Sequence, residues 1–576
     1  MKTSKLSRRS FLRAATLSTG IALAACAAPS AQTPGAAPKA EEPATGETTA
    51  AEPAQPGAQQ AAERVFTMPM PAYLGDPGAG VDPGTSGSTA SVMINQLTFS
   101  PLVYFDADLK PQPLAAESWE TKDGQVWTFK LRKDIKWSDG TPVTAADYEA
   151  SIKRNLAPDL AGVLYTLEFI KNATRYYSKE IDNPDEIGVK ALDDYTLEFT
   201  LEKVTPYFDT VVTYPNYAAV PLKVIEQHGN ADWTKPENII TCGPFKLVEW
   251  IPDQQMTFEP DPNYFGQKPG VDKFIIKMIK QEAAAMAAYE TGELDFAEVA
   301  VGDIARVKAD PTLGAEYISK PNQLTQYLII RSQTLEPLND PRVRQAFAMA
   351  IDRDIVCNVA LQGAYIPAYQ FIVPGLPGYD ENLGQELAFN PNKARELLAE
   401  AGYGEGGKPL PALYINSNQT DTYQTLFETI QAMWKENLGV EVTLELMEAS
   451  ARGEWAKRKP PMPHFWRQGW GNDYPDSASG MNFMKSTPKN DAVWTDNPDY
   501  AWVNAKFDEL VDAAAIELDE TRRAELYKQA QQILIVEDPK IIPLYYGANN
   551  IVVKPYVKGL IQNGLGTDFR FVSVEK

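Results

Sequence analysis

The chain has 576 residues, which is more than one hydrophobic core usually holds, so two or three domains are expected. Hydrophobic residues make up 44% and charged residues 23%, which is an ordinary globular composition and not that of a disordered or membrane-embedded chain. The formal net charge of −22 argues against binding to nucleic acid or to anionic membrane surfaces.

The first 25 residues have the pattern of an export signal. A basic start with twin arginines at Arg8 and Arg9 precedes an apolar run, and this run of about twelve residues is too short for a lasting membrane span. The run ends in LAAC, which resembles the bacterial lipobox and implies cleavage before Cys26 and lipidation of its thiol. We therefore expect an exported protein, anchored by lipid at the outer face of the cytoplasmic membrane or held in the periplasm. Either the twin-arginine or the general secretory route fits.

Residues 26–63 form a second segment, rich in Ala, Pro, Thr, Gln and Glu. Almost no large apolar side chain is available there to offset the chain entropy lost on folding. The segment is predicted to be a disordered tether between the anchor and the folded body.

Alternating and helical patterns begin after the tether. Trp127, Phe129 and Leu131 alternate with polar residues and predict a strand over 125–132, and residues 195–201 repeat this pattern. Thr144, followed by an acid three positions later, predicts the start of a helix.

Two later helices are marked by a capping residue and a proline. Asp340-Pro341 opens one of them, and Asn390-Pro391 opens the other, which should end at Gly402. The mixed order of helices and strands predicts an α/β or α+β body with mixed sheets and more than one lobe.

Cysteine and histidine are scarce, with three and two residues in the whole chain. Apart from Cys26, only Cys242 and Cys357 remain; one bridge between them is possible, but their spacing shows no disulfide framework, and we favour two reduced, mostly buried thiols. His228 and His464 have no partner at metal-ligand spacing, so no metal and no cofactor are expected.

Several blocks of the chain resemble bacterial extracellular solute-binding proteins of family 5, the peptide, oligopeptide and nickel class, and most closely its oligopeptide-binding members. The resemblance extends from about Arg64 to the C-terminus. The blocks that carry it are WTFKLRKDIKWSDGTPVTAADY, GVKALDDYTLEFTL, NIITCGPFKLVEW, DPRVRQAFAMAIDRD, NPNKARELLAEAGY, MWKENLGVEV, RQGWGNDYPD and IPLYY.

The resemblance implies a two-lobed clamshell with an additional inserted domain. Domain I would comprise 64–101, 221–323 and 543–576, domain II would be 102–220, and domain III would be 324–542. The ligand would be enclosed between domains I and III. The resemblance also implies a monomer that delivers short peptides to an ABC permease and ATPase complex and that touches the membrane only through its lipid anchor.

An extended peptide that is buried between two lobes must have its ammonium, its carboxylate and its backbone satisfied. Asp473 matches the amine-binding aspartate of the family, and Arg467 matches an arginine that can pair with a peptide carboxylate. The resemblance also places further residues near the ligand, namely Trp470, Gly469, Gly471, Arg458, Tyr165 and Tyr327. Taken alone, Asp473 would be an ordinary turn residue, and Arg467 and Arg458 would be equally suited to surface or interdomain salt bridges.

The chain also departs from the pattern of its family. Tyr423 stands where some relatives use a histidine for longer peptides, and Leu324 and Gly471 occupy the disulfide positions of some relatives. These differences leave open the length of the peptide and the class of solute.

Three other functions are compatible with the residues. An exported enzyme is disfavoured, because there is no nucleophile elbow, no zinc-protease motif and almost no histidine. The same fold could bind a sugar, an opine or a metal chelate. It could also serve as a sensor partner that reports its ligand without import.

Overall fold

The computed structural model describes residues 63–70, 80–160, 162–448, 451–452, 464–486 and 502–575. The predicted signal peptide, Cys26 and nearly all of the predicted tether lie outside these residues, as does Arg458. Residues 62–576 form one compact unit, so the boundaries of the three domains stay a prediction.

Strands occur along the whole described body. They are β1 (Val65–Met70), β2 (Val103–Phe105), β3 (Pro111–Pro113), β4 (Ala116–Thr121), β5 (Val126–Leu131), β6 (Val189–Asp193), β7 (Thr196–Thr200), β8 (Phe245–Ile251), β9 (Gln255–Pro260), β10 (Lys273–Met278), β11 (Phe296–Glu298), β12 (Tyr317–Ile330), β13 (Ile366–Pro367), β14 (Leu413–Asn418), β15 (Val442–Met447), β16 (Phe465–Gly471), β17 (Ile541–Val553), β18 (Val557–Lys558), β19 (Ile561–Asn563), β20 (Gly566–Asp568) and β21 (Ser573–Val574).

Helices are interspersed with these strands. The α-helices are α1 (Thr89–Thr98), α2 (Ala145–Asn155), α3 (Ala173–Tyr177), α4 (Phe208–Val211), α5 (Leu222–Asp232), α6 (Glu282–Glu290), α7 (Ile304–Ala309), α8 (Pro311–Glu316), α9 (Pro341–Met349), α10 (Pro391–Glu400), α11 (Asp421–Leu438), α12 (Ala478–Met481), α13 (Ala505–Ile516) and α14 (Glu520–Gln531). Two π-helical segments, Ile355–Ala360 and Gln532–Glu537, complete the longer helical elements.

Three larger sheets organise the body. The first has the order β1-β10-β9-β8, with β1 parallel to β10, and the second is the antiparallel β4-β5-β7-β6. The third is mixed, with the order β11-β17-β12-β16-β14-β15 and β13 on β17. The predicted mixed α/β class is therefore confirmed.

The local predictions agree with the elements observed. Trp127, Phe129 and Leu131 of β5 are buried, so the inward face is the one that alternation predicted. Helix α2 begins after Thr144, whose backbone N–H donates to Asp147 Oδ2 over 2.7 Å. Helices α9 and α10 begin at the predicted prolines.

The long strands β12 and β17 form the centre of the third sheet. Their pairing is interrupted between Pro321 and Thr325, where β12 bulges. From Leu324 onward, β12 pairs with β16, and Leu324 lies directly opposite Gly471. The bulge of β12 and the end of β16 therefore lie side by side, and both line a large cavity.

Candidate functional site

A cavity of about 750 Å³ lies between the first and third sheets and extends to the segment after α4. This volume is within the range of sites that enclose small ligands, about 300–1,000 Å³. Its wall combines the start of α1, the β12 bulge, the end of β16 and the loops around β19 and β20. Asparagine, glutamine and threonine side chains are frequent on it, so the wall can pair with backbone amides as well as with water.

Asp473 lies in the turn just after β16 and faces this cavity half-buried. The hydroxyl of Tyr214 donates to its Oδ1 over 3.2 Å. Burial raises the pKa of Asp473, and the Tyr214 hydrogen bond opposes that rise. Within the described part of the chain, no lysine or arginine forms an ion pair with this carboxylate. The arrangement therefore suits a cation brought by a ligand.

The end of β16 supplies backbone to the same region. Within the described residues, β14 pairs with β16 only at Phe465 and Trp466, so the Gly469–Gly471 segment has no strand partner on that edge. Gly471 is exposed and lines the cavity, whereas Gly469 is packed against β12. A β-carbon at Gly469 would lie 2.8 Å from Gln326 Oε1, so a larger residue there would require the Gln326 side-chain amide to shift. An open strand edge of this kind can pair with an extended peptide.

Trp470 lies behind the cavity wall. Its ring stacks on Phe483 with a centroid distance of 4.4 Å, and its Nε1 is buried without an acceptor among the described residues. It supports the glycine segment by packing and does not itself line the cavity.

Arg467 also lies behind the wall. Its guanidinium donates to the hydroxyl of Tyr423 and sits over that ring, with Cζ 3.9 Å from the centroid. The neighbouring Tyr365, which does line the cavity, stacks on Tyr545 at 4.4 Å. The Tyr423 hydroxyl therefore occupies one of the guanidinium donors that a ligand carboxylate would use.

The two predicted tyrosines have different surroundings. Tyr165 is 41% exposed and lines the cavity, and its hydroxyl donates to that of Tyr214 over 3.3 Å. Tyr327 is fully buried, with its ring edge-on to Phe371, and it lies in the core instead of on the cavity wall. The structure thus brings Asp473, Gly471 and Tyr165 together at the cavity. It places Trp470, Gly469, Arg467 and Tyr327 behind the wall.

Sequence reasoning missed three polar residues of the wall. Tyr214 is part of an unremarkable aromatic stretch, and no spacing rule connects it with Asp473. Glu282 and Glu298 both line the cavity. The surrounding protein and the charge of Glu282 raise the pKa of Glu298, although its side chain stays accessible to solvent in the cavity.

The two remaining cysteines are free and buried, as expected. Burial raises the pKa of Cys242 and of Cys357 to about 12, so both thiols stay protonated at neutral pH. The described ranges contain no group of three or more acids, histidines or cysteines close enough to hold a metal ion. None of the helices in those ranges has the length and apolarity that a membrane span requires.

Comparison with known proteins gives consistent matches over most of the chain. The profile described as "Bacterial extracellular solute-binding proteins, family 5 Middle" matches residues 110–492. The periplasmic oligopeptide-binding protein OppA of Salmonella typhimurium is 33% identical over 491 residues, which are 83% of this chain and 87% of that protein.

Two solved structures extend the comparison to the fold. The unliganded open form of the periplasmic murein tripeptide binding protein MppA superposes with a TM-score of 0.75 and 26% identity, over 89% of this chain and 98% of that chain. Haemophilus influenzae OppA in complex with RPPGFSPFR superposes with a TM-score of 0.67 and 26% identity, over 89% of this chain and 99% of that chain.

These matches agree with the cavity between two sheets. The fold is the two-lobed fold of the periplasmic peptide-binding proteins. The matched profile is that of proteins that bind solutes and are not enzymes. Since the profile covers well over half of the chain and a relative of known type is 33% identical over most of it, this chain belongs to the bacterial extracellular solute-binding proteins of family 5.

Proposed function

We propose that the chain is the exported, lipid-anchored substrate-binding protein of an ABC importer, and that it captures short peptides by their charged ends and backbone. The observation that carries this proposal is the carboxylate of Asp473. It faces the cavity with no described cation beside it and with a neutral hydroxyl on one oxygen. A peptide ammonium would supply the missing positive charge in a charge-assisted hydrogen bond.

The middle of such a peptide would lie along the end of β16. Gly471 lines the cavity at the end of this strand, beyond its pairing with β14, and pairing with its backbone would not depend on the side chains of the peptide. Side chains of different size would occupy the rest of the cavity, where water can adapt to each of them. This combination suits a receptor that accepts many sequences.

The far end of the ligand would meet a different set of groups. The carboxylate of a short peptide would pair with Arg467 once Tyr423 has turned away, because a charged acceptor is a stronger partner for guanidinium than a phenol. Peptides too short to reach Arg467 would leave the tyrosine in place.

The relatives support peptides as the class of ligand. The names of two of them state binding of oligopeptides and of murein tripeptide, and a third was solved with a nine-residue peptide. The acids on the cavity wall also favour cationic or zwitterionic solutes over anionic ones. For import, the closed, liganded form would have to bind the permease better than the open form, because only differential affinity shifts that balance.

Calorimetry with trialanine and N-acetyl-trialanine tests this function. We expect trialanine to bind and the acetylated peptide to bind at least about tenfold more weakly, because acetylation removes the charge that pairs with Asp473. Mass spectrometry of material released on denaturing the purified protein should then show short peptides with free amines. Equal binding of the two peptides, or release of a sugar or chelate in place of peptides, would contradict the proposal.

The lipid anchor is tested separately at Cys26, in the LAAC sequence near the N-terminus. Two or more acyl chains hold a protein stably on a membrane, so Cys26→Ser should move the protein from the membrane to the soluble fraction. Immunoblotting of fractionated cells measures this change, and Cys357→Ser is the matched control because that thiol is buried in the folded body. Persistent membrane association of Cys26→Ser would instead indicate an uncleaved hydrophobic anchor.

A further inference from the structure

The carboxylate of Asp473 is the end point of a chain of hydroxyl groups from a distant part of the sequence. The hydroxyl of Tyr165 donates to that of Tyr214 over 3.3 Å, and Tyr214 donates to Asp473 Oδ1 over 3.2 Å. The two tyrosine rings meet edge to face at 6.2 Å, and all three residues line the cavity. Tyr214 precedes Asp473 by 259 residues, so tertiary packing alone sets this geometry.

Two further contacts hold the two segments in place. The backbone N–H of Asp473 donates to Ser479 Oγ over 3.2 Å, which ties the turn to the start of α12. The next residue, Tyr474, stacks on Tyr207 at 5.4 Å with an angle of 12° between the rings. Tyr207 immediately precedes α4, which leads to Tyr214. The stack of Tyr474 on Tyr207 therefore joins the turn that carries Asp473 to the segment that carries Tyr214, beside the hydrogen bond itself.

The chemistry of the donor matters for a site that binds a cation. Burial and the charge of Asp473 raise the pKa of the Tyr214 hydroxyl, so it stays protonated and acts as the donor. A lysine or arginine in its place would neutralise the carboxylate and compete with the ligand. A neutral donor instead fixes one oxygen and leaves the full negative charge for a ligand ammonium at the other. Among the residues that the structure describes, the titratable groups facing Asp473 are Tyr165 and Tyr214 across the cavity and Tyr474 in its own turn.

We propose that Tyr214 is a positioning residue of the ligand site: its hydroxyl orients the carboxylate of Asp473 toward a cationic ligand group, and Tyr165 orients Tyr214 in turn. The proposal rests on the proposed function, because it takes Asp473 as the partner of the ligand ammonium. It assigns the site a residue that does not itself need to touch the ligand.

Tyr214→Phe removes the hydroxyl and keeps the ring. We expect about tenfold weaker binding of trialanine at neutral pH, since the carboxylate loses its fixed orientation. Because the hydrogen bond lowers the pKa of Asp473, its loss should raise that pKa. The acid side of the profile of trialanine affinity against pH should therefore move to higher pH.

Tyr148→Phe is the matched control. Tyr148 lies in α2, is fully buried and donates to the backbone oxygen of Ser100 over 2.9 Å, and neither residue lines the cavity. Loss of this hydroxyl should lower thermal stability. It should leave the affinity for trialanine at neutral pH unchanged, and also the acid side of the profile of affinity against pH. A merely structural role for Tyr214 predicts the same behaviour for Tyr214→Phe and would overturn the proposal.

A second measurement separates this proposal from the proposed function. The ¹³C shift of the Asp473 carboxyl in aspartate-labelled protein, assigned by its disappearance in Asp473→Asn, gives the pKa without any ligand. A higher pKa in Tyr214→Phe than in the unchanged protein supports the positioning role. An unchanged pKa overturns it. Failure of the unchanged protein to bind trialanine would count against peptide capture alone, since the carboxyl shift still reports on Tyr214.

Discussion

Asp473→Asn should bind trialanine at least about a hundredfold more weakly than the unchanged protein. Removing one partner of a buried ion pair costs about 3–5 kcal/mol, because the other charge is left without compensation, and each 1.4 kcal/mol is about tenfold in affinity. Asparagine keeps the shape of the side chain and an acceptor for the Tyr214 hydroxyl, so only the charge is lost. Isothermal titration calorimetry at neutral pH measures the change.

The stability of the unliganded protein should not fall in this variant. The pKa of Asp473 is raised in the folded state, so the ionised form costs stability at neutral pH and a neutral amide removes that cost. Asp185→Asn is the control, because that carboxylate is exposed and lies outside the cavity wall. Unaltered trialanine affinity in Asp473→Asn would remove the aspartate from the site.

Acetylation of the peptide gives a second comparison on the same pair of proteins. In the unchanged protein, acetylation should cost at least about tenfold, whereas in Asp473→Asn it should cost little, because the partner of the ammonium is already absent. Affinity for trialanine should also fall as the pH is lowered through the raised pKa of Asp473, at higher pH than for an ordinary aspartate. Additive effects of acetylation and mutation would place the peptide amine elsewhere.

Local elements could be predicted from sequence because their signals are local. The alternation of apolar residues in β5 indicates which face is buried, and the Asp340-Pro341 pair indicates where α9 begins. Both features depend on only a few neighbouring residues. The family resemblance then supplied the clamshell and the position of Asp473. In each of these cases the information lies in short, continuous blocks of sequence, one block for a local element and several for the family.

The surroundings of the site could not be predicted in the same way. Tyr214 meets Asp473 only through packing between distant segments, and Tyr423 covers Arg467 through a contact across 44 residues. Tyr327 was placed near the ligand by alignment, yet its position in β12 turns the side chain into the core. Strand register and side-chain direction determine which side chains meet at the site, and a short sequence motif specifies neither of them.

Behind the binding turn lies a second charged residue whose partner is built into the fold. Asp476, three residues after Asp473, forms a buried ion pair with Arg523 of α14. The guanidinium also sits 4.8 Å from the ring centre of Tyr207, the residue on which Tyr474 stacks. The pair therefore anchors the turn from the side opposite the cavity.

Asp476→Ala should destabilise the protein by about 3–5 kcal/mol, because Arg523 would stay charged and buried without a counterion. Arginine does not lose its proton in the accessible pH range, so deprotonation cannot remove the buried charge of Arg523. Urea unfolding followed by tryptophan fluorescence should show a clearly lowered midpoint. Trialanine affinity should fall as well, since the turn that carries Asp473 loses its anchor.

Arg523→Leu removes the other partner and should behave differently, because a carboxyl can take up a proton where a guanidinium cannot give one up. Burial raises the pKa of Asp476 and Arg523 opposes that rise, so the pKa rises further once the arginine is gone. A folded-state pKa above the unfolded value means that the native state binds the proton more tightly, so the stability of Arg523→Leu should increase as the pH is lowered below neutral.

The double variant Asp476→Leu/Arg523→Leu should recover most of the loss of stability, since an apolar pair leaves no buried charge. Equal losses in both single variants, with no dependence on pH, would mean that packing of α14 and not the ion pair holds the turn.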